Sequence, residues 1–249
     1  GGHASAGNFA DGGGALVVAP LSSADPPATV VITESAIVDN RSLVQSGGGL
    51  VVGRGVLVVT NTTIARNRVL SGNVSGVASG GTSLLTNCTV VENSENGSGG
   101  AVSGAVTLQN TIVALNTGFG GRSSDCRGPV TSLGNNLIGD PVGFFSACSI
   151  TLQPTDRTGD PGLAPFQDNG TPGNGHYPLL PTSQALDAGN DAFCPPTDQL
   201  GRRRVDLRKV GTSRCDIGAI EFRHRDNRPH HEEDEPHDKD STAATQAAQ

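Results

Sequence analysis

The phrases TESAIVDN (33–40), TNTTIARN (60–67), TNCTVVEN (86–93) and QNTIVALN (109–116) repeat one grammar four times. Their closing asparagines, Asn40, Asn67, Asn93 and Asn116, are 27, 26 and 23 residues apart. A period in this range marks stacked repeat units. Between the phrases lie glycines followed by short apolar pieces: GGGLVV (47–52), GVA (76–78) and GGAV (99–102), then Val56–Val59, Thr82–Leu85 and Ala105–Leu108. An earlier copy reads GGGALVV at 12–18. The pieces are small, β-branched or polar and carry no helical stripe, so each coil is expected to hold about three short strands.

Such strands cannot bury a core singly, but coils stacked about 4.8 Å apart hydrogen-bond to those above and below. The expected fold is all-β, a right-handed parallel β-helix. Asn40, Asn67, Asn93 and Asn116 are then expected to form an amide ladder, each side chain donating and accepting along the stack. The neighbouring positions Ile37, Ile64, Val90, Val113 and Val38, Ala65, Val91, Ala114 read as two adjacent inward residues at a bend.

Three segments are expected: coils over 1–116, last coils and a loop-rich cap over 117–222, and a disordered acidic, histidine-containing tail over 223–249. The chain has 249 residues, 35 of them Gly and 15 Pro, no Trp and one Tyr, which suits a narrow solenoid core with many turns. Without Met, it reads as a processed product or fragment whose open first coil is free to stack on a copy of itself. No apolar stretch is long enough to span a membrane as a helix, and a net charge of −7 disfavours nucleic acid as a partner.

Cys126 with Cys148 and Cys194 with Cys215 read as two local disulfides, which implies an extracytoplasmic setting; a four-Cys zinc site is the competing reading. Cys88 shares a repeat position with Ser35, Thr62 and Thr111 and reads as a buried free thiol. Among the glycosylation sequons, which include those at Asn40, Asn61, Asn73, Asn87 and Asn96, the ones at Asn73 and Asn96 fall in turns.

The residues before the ladder include Asp39, Arg66 and Glu92, an acid, base, acid column expected to face solvent. It is either a surface ion-pair ladder or the start of a saccharide groove with Arg66 as base. Asp187, Asp191, Asp198 and Asp216 read first as turn-forming residues, with a Ca²⁺ site as the alternative; no other cofactor is called for. Arg202–Arg204 reads as a solvated or Asp-paired face. Thr63 and Thr89 stack, but Ala36 and Ile112 at the same position leave an ice-binding array only two coils deep.

SDCRGPVTSLGNNLIGD (124–140), GDPGLAPFQDNGTP (159–172), HYPLLPTSQALDAGN (176–190), CPPTDQLGRRR (194–204) and RCDIGAIEF (214–222) follow in order. Together, over roughly 110–222, they resemble the C-terminal region of bacterial secreted β-helix proteins with a choice-of-anchor ending. The coils resemble, more loosely, polymorphic outer-membrane and pectate-lyase-like β-helices. The resemblance implies residence outside the cell or on its surface and no particular activity. The functional expectation is a secreted or cell-surface structural and binding protein, adhesin-like or part of a matrix, with itself or an extracellular polysaccharide as partner. The alternative is a polysaccharide lyase or glycoside hydrolase working in a lateral groove.

Overall fold

The computed structural model describes residues 16–18, 27–43, 47–97, 99–142, 148–204 and 215–223. The tail reading for 224–249, with His224, His230, His231 and His237, lies outside these residues, as does most of the stretch before Pro27.

The chain forms a parallel β-solenoid. The first face stacks β1 (Leu16–Val18), β4 (Leu50–Val52) and the starts of β7 (Val77–Thr86) and β10 (Val102–Gln109), followed by β12 (Cys126–Arg127). Leu16–Val18 pair in register with Leu50–Val52, so the described end of the phrase at 12–18 stacks as an earlier copy of the one at 47–52. On the second face lie the first halves of β2 (Ala28–Val38) and β5 (Gly55–Ala65), the ends of β7 and β10, and β13 (Thr131–Ser132). The second halves of β2 and β5 make the third face with β8 (Thr89–Val91), β11 (Ile112–Ala114), β14 (Leu137–Ile138) and β15 (Arg157–Thr158). A smaller sheet beyond the ladder stacks β3 (Arg41–Ser42), β6 (Arg68–Val69) and β9 (Ser94–Glu95). Every strand pair is parallel, as coil-on-coil stacking requires.

The last coils carry the stack past 116. The dipeptide Leu137–Ile138 pairs with Ile112–Val113, and Arg157–Thr158 pairs with it in turn, so stacking persists to 158.

Inside the coils the core is a column of Leu57, Val59, Ile64, Leu85, Val90, Leu108, Val113 and their neighbours, fully buried. The adjacent apolar residues of each phrase do not both point inward. Ile64, Val90 and Val113 enter this core, whereas Ala65, Val91 and Ala114 point outward, as strand alternation dictates. They are buried all the same, because the chain from 159 to 222 returns along the third face. Ala65, Val91, Ile112, Ala114 and Leu137 form a second core with Tyr177, Leu179, Ala185, Ile217 and Phe222 of that arm. The expected cap is therefore a strap laid along the side of the coils. Its approach is close: a Cβ on Gly218, at φ 104°, would sit 2.8 Å from the Ile112 side chain and 2.9 Å from Thr89 Oγ1.

The asparagine ladder runs as expected. Asn40 donates from its backbone N and Nδ2 to Asn67 Oδ1, Asn67 does the same to Asn93, and Asn93 to Asn116, all at 2.8–3.1 Å. Asn116 donates both groups to Asp125 Oδ1, and Asp125 Oδ2 accepts the Asp140 amide. A carboxylate only accepts, so Asp125 is suited to the last rung. Burial pushes its pKa up to about 6 against the pull of these donors.

Candidate functional site

Two corners of each coil are turned by single residues in the left-handed region. At the ladder corner these are Asp39, Arg66, Glu92 and Leu115, with φ between 54° and 60°. At the corner between the second and third faces they are Glu34, Asn61, Asn87, Asn110 and Asn135, with φ between 47° and 55°. Asparagine tolerates this conformation better than most residues, and it recurs there four times.

The first column does not act as one charged ladder. Arg66 makes a forked pair with Asp39, Nε to Oδ1 at 2.9 Å and Nη2 to Oδ2 at 2.8 Å, and its guanidinium lies 4.3 Å from the Phe166 ring centroid. Glu92 instead accepts the Tyr177 hydroxyl at 2.5 Å. Burial and the Glu92 carboxylate drive the Tyr177 pKa far upward, so the phenol stays protonated. The Arg66 guanidinium is thus occupied by the Asp39 carboxylate and the Phe166 ring. The contacts of Arg66 with Phe166 and of Glu92 with Tyr177 tie the strap to the coils.

The second column anchors the strap further along. Asn61 accepts Arg204 Nη2 at 2.9 Å and donates to the Thr197 carbonyl at 2.7 Å. Asn87 donates to the carbonyls of Asp216 and Gly218; Asn110 exchanges hydrogen bonds with the Asn190 backbone; Asn135 donates to the Ala188 carbonyl. Thr63 donates to Gln199 Oε1, and Thr89 Oγ1 accepts the Ala219 amide. The Thr63 and Thr89 pair is thus spent on the strap and closed to ice or any other ligand.

Of the two readings for the arginine run, Arg204 follows the acid-paired one, with a glutamate in place of an aspartate and buried. Its side chain is 3% exposed and pairs with Glu221, itself 1% exposed, at 3.0 Å. Burial and the neighbouring Asp216 charge raise the Glu221 pKa, and Arg204 opposes them. Three of the four aspartates considered for Ca²⁺ accept backbone amides, and the fourth, Asp187, gives its own amide to one of them. Asp216 accepts those of Asp187 and Phe222, Asp191 that of Cys215, and Asp198 those of Leu200, Arg202 and Glu221. Among the described residues no group of three or more His, Cys, Asp or Glu side chains is placed to hold a metal.

Cys126–Cys148 and Cys194–Cys215 are disulfide-bonded, and Cys88 is a buried free thiol. The second bridge lies within the strap, beside Asn87 and Asn110. Of the sequon asparagines, Asn61 and Asn87 are buried, Asn40 is in the ladder, and Asn73 and Asn96 are exposed. Among the described residues no helix is long and apolar enough to cross a membrane.

The strap leaves the second face bare. Its outward residues fall in registered columns: Thr29, Val56, Thr82; then Val31, Val58, Leu84, Thr107, Thr131, Thr151; then Thr33, Thr60, Thr86. None of them carries a charge. Sequence reasoning passed over this face because its columns fall partly between the phrases that carry the period and partly, at Thr33, Thr60 and Thr86, on their first residues.

Comparison with known protein families, with curated proteins and with solved structures finds no match for this chain.

Proposed function

We propose that the chain is a secreted or cell-surface structural and binding solenoid, and that its bare second face meets an uncharged, hydroxyl-rich extracellular polysaccharide. The observation that carries this reading is the registered, charge-free array of Val, Leu and Thr across six coils beside a third face that the chain covers itself. Aliphatic groups and threonine methyls suit the C–H faces of sugar rings, and threonine hydroxyls suit their O–H groups. The two disulfides and the resemblance of residues 110–222 to secreted choice-of-anchor β-helix proteins support an extracellular setting. Co-sedimentation with insoluble neutral polysaccharides tests it. Val58→Lys with Thr60→Lys should abolish retention, and retention equal to the unaltered protein would refute the assignment.

End-to-end association is a second reading, favoured by the last coil. Thr151–Thr155 are exposed, and among the described residues no strand stacks beyond them. Sedimentation velocity across a concentration series would show growing rods, and a constant monomer would exclude it.

A further inference from the structure

The sheet of β3, β6 and β9 carries a feature that neither the solenoid nor the strap uses. Arg41 and Arg68 are in-register partners on adjacent strands, and the column continues through Ser94 to Thr117. Both arginines are exposed, and neither makes an ion pair among the described residues, in a chain whose net charge is −7. Cations stacked one strand spacing apart repel each other, and nothing structural is gained by keeping two of them here.

Beside them the surface is recessed. A hollow of about 280 Å³ is lined by Arg68, Ser94, Asn96, Thr117 and the glycines at 118, 120 and 121. Phe119 in that turn is 59% exposed, with its amide held by the Gly97 carbonyl at 3.0 Å. Glu95 also borders the hollow, but its carboxylate is taken by the amides of Gly97 and Gly99 and by the Ser124 hydroxyl. Arg68 thus brings a guanidinium to the hollow beside amide and hydroxyl groups, Arg41 is stacked one strand beyond it, and the exposed Phe119 sits in the turn that supplies Gly118, Gly120 and Gly121 to the lining. The size of the hollow lies at the lower end of small-ligand sites, enough for one sugar residue and short of a longer oligomer.

We propose that this hollow binds a single carboxylate-bearing sugar residue of an extracellular glycan, with Arg41 and Arg68 on the carboxylate and Phe119 against the ring. Forked guanidinium contacts recognise a planar carboxylate, and the ring face of Phe119 suits the C–H groups of a pyranose. Two arginines are too few for a polyanion such as nucleic acid, whose binding grows with the number of phosphates neutralised. The site is separate from the bare second face and does not depend on it.

Titration calorimetry or ligand-observed NMR with methyl glucuronide and sialyllactose, each beside its neutral twin methyl glucoside or lactose, tests the proposal. The acidic sugars should bind at least about tenfold more tightly than the neutral ones, a difference of about 1.4 kcal/mol. Arg41→Gln combined with Arg68→Gln should erase the preference, and Phe119→Ala should weaken both acidic sugars while leaving inorganic phosphate binding unchanged. The Val58→Lys, Thr60→Lys variant should retain acidic-sugar binding in full, so failure at one surface is distinguished from failure at the other. Equal binding of acidic and neutral sugars, or a preference that survives the double Arg variant, overturns the proposal. So does full competition by phosphate with no effect of Phe119→Ala, which would leave a bare anion site.

Discussion

Removing the middle of the asparagine ladder should cost far more than removing its end. In Asn93→Ala the lost Oδ1 is the acceptor for Asn67 N, at 3.0 Å, and Asn67 Nδ2, at 2.9 Å. The lost Nδ2 served the Ile64 carbonyl at 2.9 Å and Asn116 Oδ1 at 3.0 Å. Asn67 Nδ2 keeps the Ile37 carbonyl and Asn116 Oδ1 keeps the Asn93 amide, but the Asn67 amide is left alone at zero exposure. One orphaned buried donor at about 1–3 kcal/mol, with the further hydrogen bonds lost around it, gives roughly 3–5 kcal/mol. In Asn40→Ala, Asn67 Oδ1 loses one donor and keeps the Asn40 amide, at a half-buried position, so about 1 kcal/mol is expected. Urea unfolding under non-reducing conditions, followed by far-ultraviolet circular dichroism, measures both at equal m-value. Equal losses in the two variants, or less than about 1.5 kcal/mol for Asn93→Ala, would refute the account of the ladder as a load shared by buried rungs.

Asp125 is raised from 3.8 to about 6 by burial, so the folded chain holds its proton to a higher pH than the unfolded chain. Its contribution to stability is complete below about pH 4 and is lost as pH rises through about 6, roughly 3 kcal/mol in all. Asp125→Asn should flatten that slope in urea titrations at stepped pH. Arg204→Ala strands the buried Glu221 and should cost about 3–5 kcal/mol, with proteolysis within 159–223 preceding cleavage of the coils. Arg66→Ala removes a surface pair and a ring contact and should cost at most about 1–2 kcal/mol in the same unfolding assay. The Cys88 thiol, pushed up to about 12 by burial, should resist alkylation at neutral pH until the chain is unfolded, as counted by mass spectrometry.

The coils were legible because stacking repeats a side chain at each corner, and Asn40, Asn67, Asn93 and Asn116 print that repetition directly. Asp125 was not, since it enters the ladder from a different sequence position, nine residues after Asn116. The outward direction of Ala65, Val91 and Ala114 was misread because an apolar residue was assumed to face the nearest core. A second core, built with residues more than sixty positions away, satisfies the same pattern. Arg204 looked like surface for a related reason: its partners Asn61 and Glu221 are 143 and 17 residues distant. The pairing of Arg41 with Arg68 was available in the 27-residue offset, but the two positions lie just past the phrases that drew attention.

A bare solenoid behaves as a row of dominoes, each coil answering only to its neighbours and free to peel from either end. Here the strap touches Asn61, Asn87, Asn110 and Asn135, one residue from each of four successive coils, and a disulfide closes the loop that holds it. Pulling on one coil therefore loads the others through a second line of attachment, like a splint across stacked plates. Under tension the strap should release first, with the coils then following together.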